Sequence, residues 1–248
     1  MRGLVVPVLV VVLAQAAAMI WGIKSDMLAA PSTIALAGWR AAVDGTLWTA
    51  TGQTLGAALT ALGIGGGLGL VCGILLGLFR PLARLFTISV EAVRPVPSVA
   101  LIPIALLVFG FGFRMEVSVT AFACFWPMLI MGQAAVAGIQ PRLLEVGRAL
   151  RMSFPARAWK IVLPAALPRL FVGLRLAAGI ALIVAVTVEI VANPLGLGYM
   201  LMIAQQSLHP GLMFAALLWV GIIGWALNGV LLFAQRRLFG WVAEEHAG

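Results

Sequence analysis

Six times along this chain, some twenty residues pass with few charges and little for water to hold: residues 4–21, 54–79, 88–109, 117–139, 170–191 and 212–233. A hydrocarbon layer about 30 Å thick is crossed by roughly 20 residues of helix rising about 1.5 Å each. Within that layer a peptide group finds no water. The run must therefore bond its own amides, which a helix does and a lone strand does not. Only 10% of the residues are charged, where soluble domains run nearer a quarter. The expected fold is all-α, a polytopic membrane protein with six transmembrane helices.

The remaining charges are unevenly placed. Lys and Arg number 16 against 8 Asp and Glu, a net charge of +8, which in a soluble chain would raise nucleic acid as a partner. Here the bases gather in alternate loops. With both termini inside, only Lys24, Arg40 and Arg114 of the 16 fall on the outer side, and positively charged loops stay in the cytoplasm. The bases are read as facing anionic lipid and a protein partner, with no nucleic acid.

Residues 1–53 read as a first membrane helix followed by an external amphipathic segment. Residues 14–19, AQAAAM, resemble a signal-peptide cleavage region; because further spans follow, an uncleaved helix is expected. Residues 31–48 combine aromatic and small side chains suited to a helix on the membrane surface. In the second span Gly65, Gly69, Gly73 and Gly77 recur every fourth residue and form a smooth stripe, which lets another helix approach closely. A phosphate cradle is the competing reading of clustered glycine. Neither GxxxxGK[ST] nor GxGxxG occurs in the chain, so helix packing is preferred and this chain is expected to hold no cofactor. Cys72 and Cys124 each lie within an apolar run and read as small core residues.

The third span opens with Glu91-Ala-Val-Arg94-Pro-Val-Pro97, and Pro103 interrupts it again. Broken helices at membrane depth are tolerated where they line a cavity or are covered by protein. Glu91 and Arg94, three apart, are expected to pair locally. Residues 110–116 read as a short external turn, and Trp126-Pro127 as a kink in the fourth span. The fifth span carries Arg175 and Glu189, about 21 Å apart along a helix and out of each other's reach. Arg175 lies near enough to the inner end to snorkel. Glu189 either lines a path or outer gate or bonds a neighbouring helix. Residues 193–200, with Gly196 and Gly198, form a loop rich in turn residues.

The longest polar interval is residues 140–168, QPRLLEVGRALRMSFPARAWKIVLPAALP. Arg142, Arg148, Arg151, Arg157 and Lys160 stand in it with Glu145 as the sole acid. Pro141 suits the first position of a short helix running to Leu150. A solvated charged face is the plain alternative. The order Glu145-Val-Gly147-Arg148-Ala-Leu150, then Val162-Leu-Pro164-Ala-Ala-Leu-Pro168 and Gly173-Leu-Arg175, resembles the coupling loop of importer-type ABC permeases. Val146 and Gly147 stand where that family has two alanines. Arg151 stands where it has a helix-ending glycine, which implies a longer helix or another turn here. Arg94 to Pro103, with residues 109–112 beyond, and Glu189 with the GLG of Gly196 and Gly198, resemble the permease subgroup that imports nitrate, taurine, sulfonates and bicarbonate.

That resemblance covers about residues 52–240 and implies an ABC permease domain over 54–240 with the type I importer fold. It implies two ABC ATPase subunits that carry ATP and Mg, a second permease copy, an external solute-binding protein, and a bacterial inner membrane. Glu145, Gly147, Arg148, Leu150, Arg151 and Pro164 would belong to the ATPase-coupling surface. Arg94, Pro97, Glu189, Gly196 and Gly198 would belong to the path or gate. An ion-coupled carrier or channel is the alternative; it would need acids along a path, and only Glu91 and Glu189 lie in spans. An integral membrane enzyme is not expected, since HExxH and GxSxG are absent.

Overall fold

The computed structural model describes residues 5–20 and 28–244, and all regular structure among them is helical. In chain order the helices are α1 (Val5–Ile20), α2 (Pro31–Val43) and α3 (Thr46–Ala61), the last running through a π turn (Leu62–Gly66) into α4 (Gly67–Leu78). Next come α5 (Arg80–Val93), a 3-10 turn (Ser98–Leu101), α6 (Ile102–Phe109) and α7 (Phe113–Ala137). The polar interval holds α8 (Pro141–Ala149), the single turn α9 (Phe154–Arg157) and a second π turn (Ala158–Val162). Then follow α10 (Leu163–Val191), α11 (Gly196–Gln206) and α12 (Pro210–Glu244).

Among the described residues four helices are long and apolar enough to cross a membrane: Thr46–Leu78, Phe113–Ala137, Trp159–Val191 and Pro210–Leu238. The six expected spans differ from this in two places. The third is a pair of helices, Pro81–Val93 and Ser98–Phe109, bent by 82° at the break; Pro95 and Pro97 remove two amides just after Arg94, the cap of α5, where the backbone is still helical. The first includes a shorter apolar helix, Leu9–Ile20, and residues 21–27 lie outside the described residues. The second span begins at Thr46 rather than near residue 54, because the turn ahead of it closes on Asp44. The Asp44 carboxylate accepts the Thr46 hydroxyl at 2.6 Å and its amide at 2.9 Å. Those two bonds, the hydroxyl first, hold the Asp44 carboxyl below the usual range.

The chain divides into two compact units. In the one built from Ala57–Ala185 and the chain from Trp225 onward, α3 and α4 lie backbone to backbone on α7. A Cβ on Gly65, Gly69 or Gly73 would be driven into the main chain at Ala121, Phe125 or Leu129 respectively. On Gly77 it would lie 2.7 Å from Val136 Cβ, and on Gly132 of α7 3.2 Å from Gly73 Cα. The glycine row at four-residue spacing thus lies on the α7 main chain at Ala121, Phe125 and Leu129, and its lack of side chains converts separation into dispersion contact. Small residues continue the pattern. Ala57 and Ala61 pack on Val117, and Ala58 on Cys124, Ala181 and Ala185. Farther along, Ala166 and Leu170 rest on Ala135, and Val162 on Val136 and Ile139. That contact fixes where the polar interval returns to α10.

In the unit built from the chain up to Gly56 together with Val186–Gly224, Trp219 donates its indole N–H to Thr51 Oγ1 at 2.9 Å. Its ring meets Trp48 edge-on at 5.3 Å, giving two amphipathic rings one shared contact. Gly38 brings α2 close to Ala215 of α12, where an added Cβ would be at 3.4 Å.

The glycine rows predict a contrast within one helix. Gly73→Ala is expected to lower stability by about 1–3 kcal/mol through overpacking. Gly67→Ala, with no heavy atom within 4 Å of the added Cβ, is expected to leave stability unchanged or raise it by up to about 1 kcal/mol. Thermal unfolding of the two purified variants in detergent measures the difference.

Candidate functional site

Three places bring together the residues that the sequence singles out. The first is the polar interval. Helix α8 stops after Ala149 with Leu150 N–H donating to Val146 O and Met152 N–H to Gly147 O, both at 3.0 Å. The second bond reaches back five residues, the Schellman ending, and requires a left-handed residue between. That residue is Arg151, at φ +52°. The helix is therefore no longer than the family pattern; Arg151 takes the conformation a glycine would, rather than extending the helix. Gly147 is buried, and a Cβ there would meet Ile161 Cδ1 at 2.8 Å, so its bareness lets α8 lie on the π turn. The outward face of the interval mixes charge with exposed apolar surface. Leu143, Val146, Leu150 and Trp159 are exposed, the last two by 69% and 73%, beside exposed Arg142, Glu145, Arg151, Lys160 and Pro164. Arg148 lies within α8.

The second place is the start of α11. The first amides of a helix have no partner within it, and Gly196, Leu197 and Gly198 are all buried, so protein groups must supply one. Gly196 N–H donates to Gln53 Oε1 at 2.9 Å, Leu197 N–H to Thr54 Oγ1 at 2.9 Å, and Gly198 N–H to Glu189 Oε2 at 2.7 Å. Thr54 in turn donates its hydroxyl to Glu189 Oε1 at 2.7 Å, with Ala50 O also in reach at 3.1 Å. Glu189 is 1% exposed, and a carboxylate beside three inward amides at a positive helix end is in a favourable field. Gly196 has φ +89°, and a Cβ on it would overlap the Glu189 carboxylate. On Gly198 it would overlap Val186 O. The two glycines make room for the acid. Gln53 and Thr54 carry no signal in the sequence, being ordinary polar residues on a helix that begins earlier than expected.

The third place is the break between α5 and α6. Arg94 N–H closes α5 on Val90 O at 2.9 Å, Val96 N–H reaches Val93 O at 3.1 Å, and Ala100 N–H reaches Pro97 O at 3.0 Å. Arg94 and Pro97 are exposed. Glu91 and Arg94 do not form the expected ion pair. Beside the break opens a cleft of about 400 Å³ whose lining includes Arg94, Ser98, Phe122, Trp126, Met131 and Ile180. Glu116, expected in a short external turn, lies instead in the first turn of α7 and is buried. Both cysteines are free thiols, and no group of three His, Cys, Asp or Glu able to hold a metal occurs among the described residues.

Two substitutions test these geometries. Arg151→Gly is expected to stabilise the end of α8 by about 1 kcal/mol, the left-handed penalty of a side chain. Slower hydrogen exchange across residues 141–152 would show it, and Arg151→Ala should give no such gain. Glu189→Ala, which strands the Gly198 amide in a buried site, is expected to cost about 2–4 kcal/mol. Glu189→Gln should lose far less: its amide oxygen can accept from Gly198 N–H while its NH2 donates to Thr54, whose hydroxyl turns to Ala50 O. Thermal unfolding in detergent separates the two.

Comparison with known proteins gives these places a common context. The aliphatic-sulfonates transport permease by name, SsuC of Bacillus subtilis (strain 168), is 29% identical over 97% of this chain and 87% of its own length. The taurine transport system permease protein TauC of Escherichia coli (strain K12) is 29% identical over 85% of this chain and 77% of its own. In fold, the chain is similar to a chain of the inward-facing MetNI methionine ABC transporter, with a TM-score of 0.68 at 22% identity, covering 77% of this chain and 95% of that one. Residues 65–243 match the family described as binding-protein-dependent transport system inner membrane component. The chain belongs to that family: it is a multi-pass ABC transporter permease, a transport subunit rather than an enzyme.

Proposed function

We propose that this permease moves a small organic anion of the sulfonate or taurine kind inward, by alternating access driven by a separate ATPase docked on residues 140–168. The names of the relatives support the solute class. The observation that carries the coupling is the face of α8. Leu143, Val146, Leu150 and Trp159 are exposed beside exposed cations and Glu145, and an apolar patch rimmed by charge marks a surface for another protein.

In this reading two ATPases hold ATP and Mg, two copies of the permease form the path, and both termini lie in the cytoplasm, where the charged loops belong. An external binding protein delivers the solute. Closure of the ATPases carries α8 with it. Through Gly147 the α8 backbone rests on Ile161 and Arg157, and the π turn there continues without interruption into α10. Movement at α8 is thereby passed to a helix roughly 40 Å long. Glu189 gives no support to an ion-coupled carrier, because it is occupied in holding the start of α11.

Glu145→Arg reverses the only acidic charge on the docking face. The chain is expected to fold and insert normally while ATP-driven uptake falls by roughly tenfold or more and less ATPase copurifies. Copurification and uptake at the unaltered level would contradict the coupling assignment.

A further inference from the structure

We propose that the cleft beside the α5–α6 break is a solute subsite for a small organic anion, its head bound at Arg94 and its apolar body against α7 and α10. The inference rests on the importer reading and adds to it a place and a set of recognition groups.

Three observations converge there. Arg94 is the one charged residue lining the cleft, and it has no ion pair or other side-chain partner among the described residues. Low-dielectric walls beside a cation sharpen its attraction for an anion. Next, the other polar side chains of the lining add donors. Ser98 brings a hydroxyl, and the Trp126 indole N–H is buried with no acceptor among the described residues. Arginine and tryptophan donate and cannot accept, and no carboxylate lines the cleft. An oxyanion is the ligand that such a set completes, and an ammonium finds no acid. Finally, the remaining wall is apolar, with Phe122, Met131 and Ile180, and encloses about 400 Å³, within the range of small-molecule sites.

A neighbouring groove provides the contrast. It measures about 340 Å³ and is lined by Cys72, Leu76, Phe86, Val90 and Leu129 with no charged residue. A lipid chain would satisfy such a groove. Trp126 lines both, and each has one serine, Ser89 in the groove and Ser98 in the cleft, so the Arg94 cleft differs from the groove by its cation, the feature that an apolar tail alone does not use.

The test uses the permease assembled with its ATPase in lipid nanodiscs. Val96→Cys, which lines the same cleft, serves as reporter in a Cys72→Ser, Cys124→Ala background, labelled by a maleimide. Millimolar butanesulfonate is expected to slow labelling by roughly tenfold, as loss of a charge-assisted contact would reverse. Inorganic sulfate, lacking the apolar body, and butylammonium, lacking the charge, should protect weakly or not at all. Arg94→Gln should abolish the butanesulfonate protection and Arg94→Lys restore part of it, with each variant labelled normally when no probe is present. Equal protection by butylammonium, or butanesulfonate protection that survives Arg94→Gln, would overturn the subsite. If the ATPase copurifies but butanesulfonate gives no protection, the subsite falls and the importer reading stands. If protection follows Arg94 but no ATPase is retained, the subsite stands on a transporter energised in another way.

Discussion

A peptide group in hydrocarbon or in a dry protein interior has nothing to bond except other protein, and this requirement organises the chain. Where the backbone stays helical the demand is met locally, which is why regular structure here is helix throughout the described residues. The informative places are those where helix stops. At the start of α11 three buried amides are answered one by one by Gln53, Thr54 and Glu189. At the end of α8 the carbonyls are answered by backbone, with Arg151 in a conformation that disfavours side chains. At the α5–α6 break two prolines remove donors that would otherwise need partners. Each stop has its own solution, and each coincides with a region the sequence marks as functional.

The second constraint is separation between helices. Lipid tails are as apolar as leucine, so burial alone does little to draw spans together. Contact distance does it instead. The rows of Gly65, Gly69 and Gly73 against the α7 main chain bring backbones together, and alanines extend that close packing toward α10. In the proposed coupling, this close packing is what would carry a displacement at α8 onward as movement of helices rather than of side chains.

Much of this was legible before any coordinates. The run lengths required membrane helices, the four-residue glycine period identified a packing row, and the order of residues from Glu145 to Pro168 marked the loop. What was not legible depended on distant partners. Nothing about Thr54 distinguishes it from other hydroxyl residues until α10 places Glu189 beside it. Arg151 reads as a residue that implies a longer helix or another turn, because local preference argues against left-handed arginine; the helix is not prolonged, and a turn with the Schellman bond follows at Arg151. Glu116 reads as a turn residue because Gly110 and Gly112 precede it, yet α7 starts early enough to bury it. The pairing of Glu91 with Arg94 follows from helix spacing, which Arg94 keeps as the C-cap of α5, and the two side chains nonetheless form no ion pair.

The central claim is that the face of α8 meets an ATPase on the cytoplasmic side of the membrane. Leu150, exposed at its end, offers the most direct measurement, as a single cysteine in a background without Cys72 and Cys124. In membranes containing the cognate ATPase, Leu150→Cys should form a bifunctional maleimide crosslink to that subunit, and in intact cells it should stay unlabelled by a membrane-impermeant maleimide. Labelling from outside intact cells, with no crosslink to the ATPase, would contradict the account.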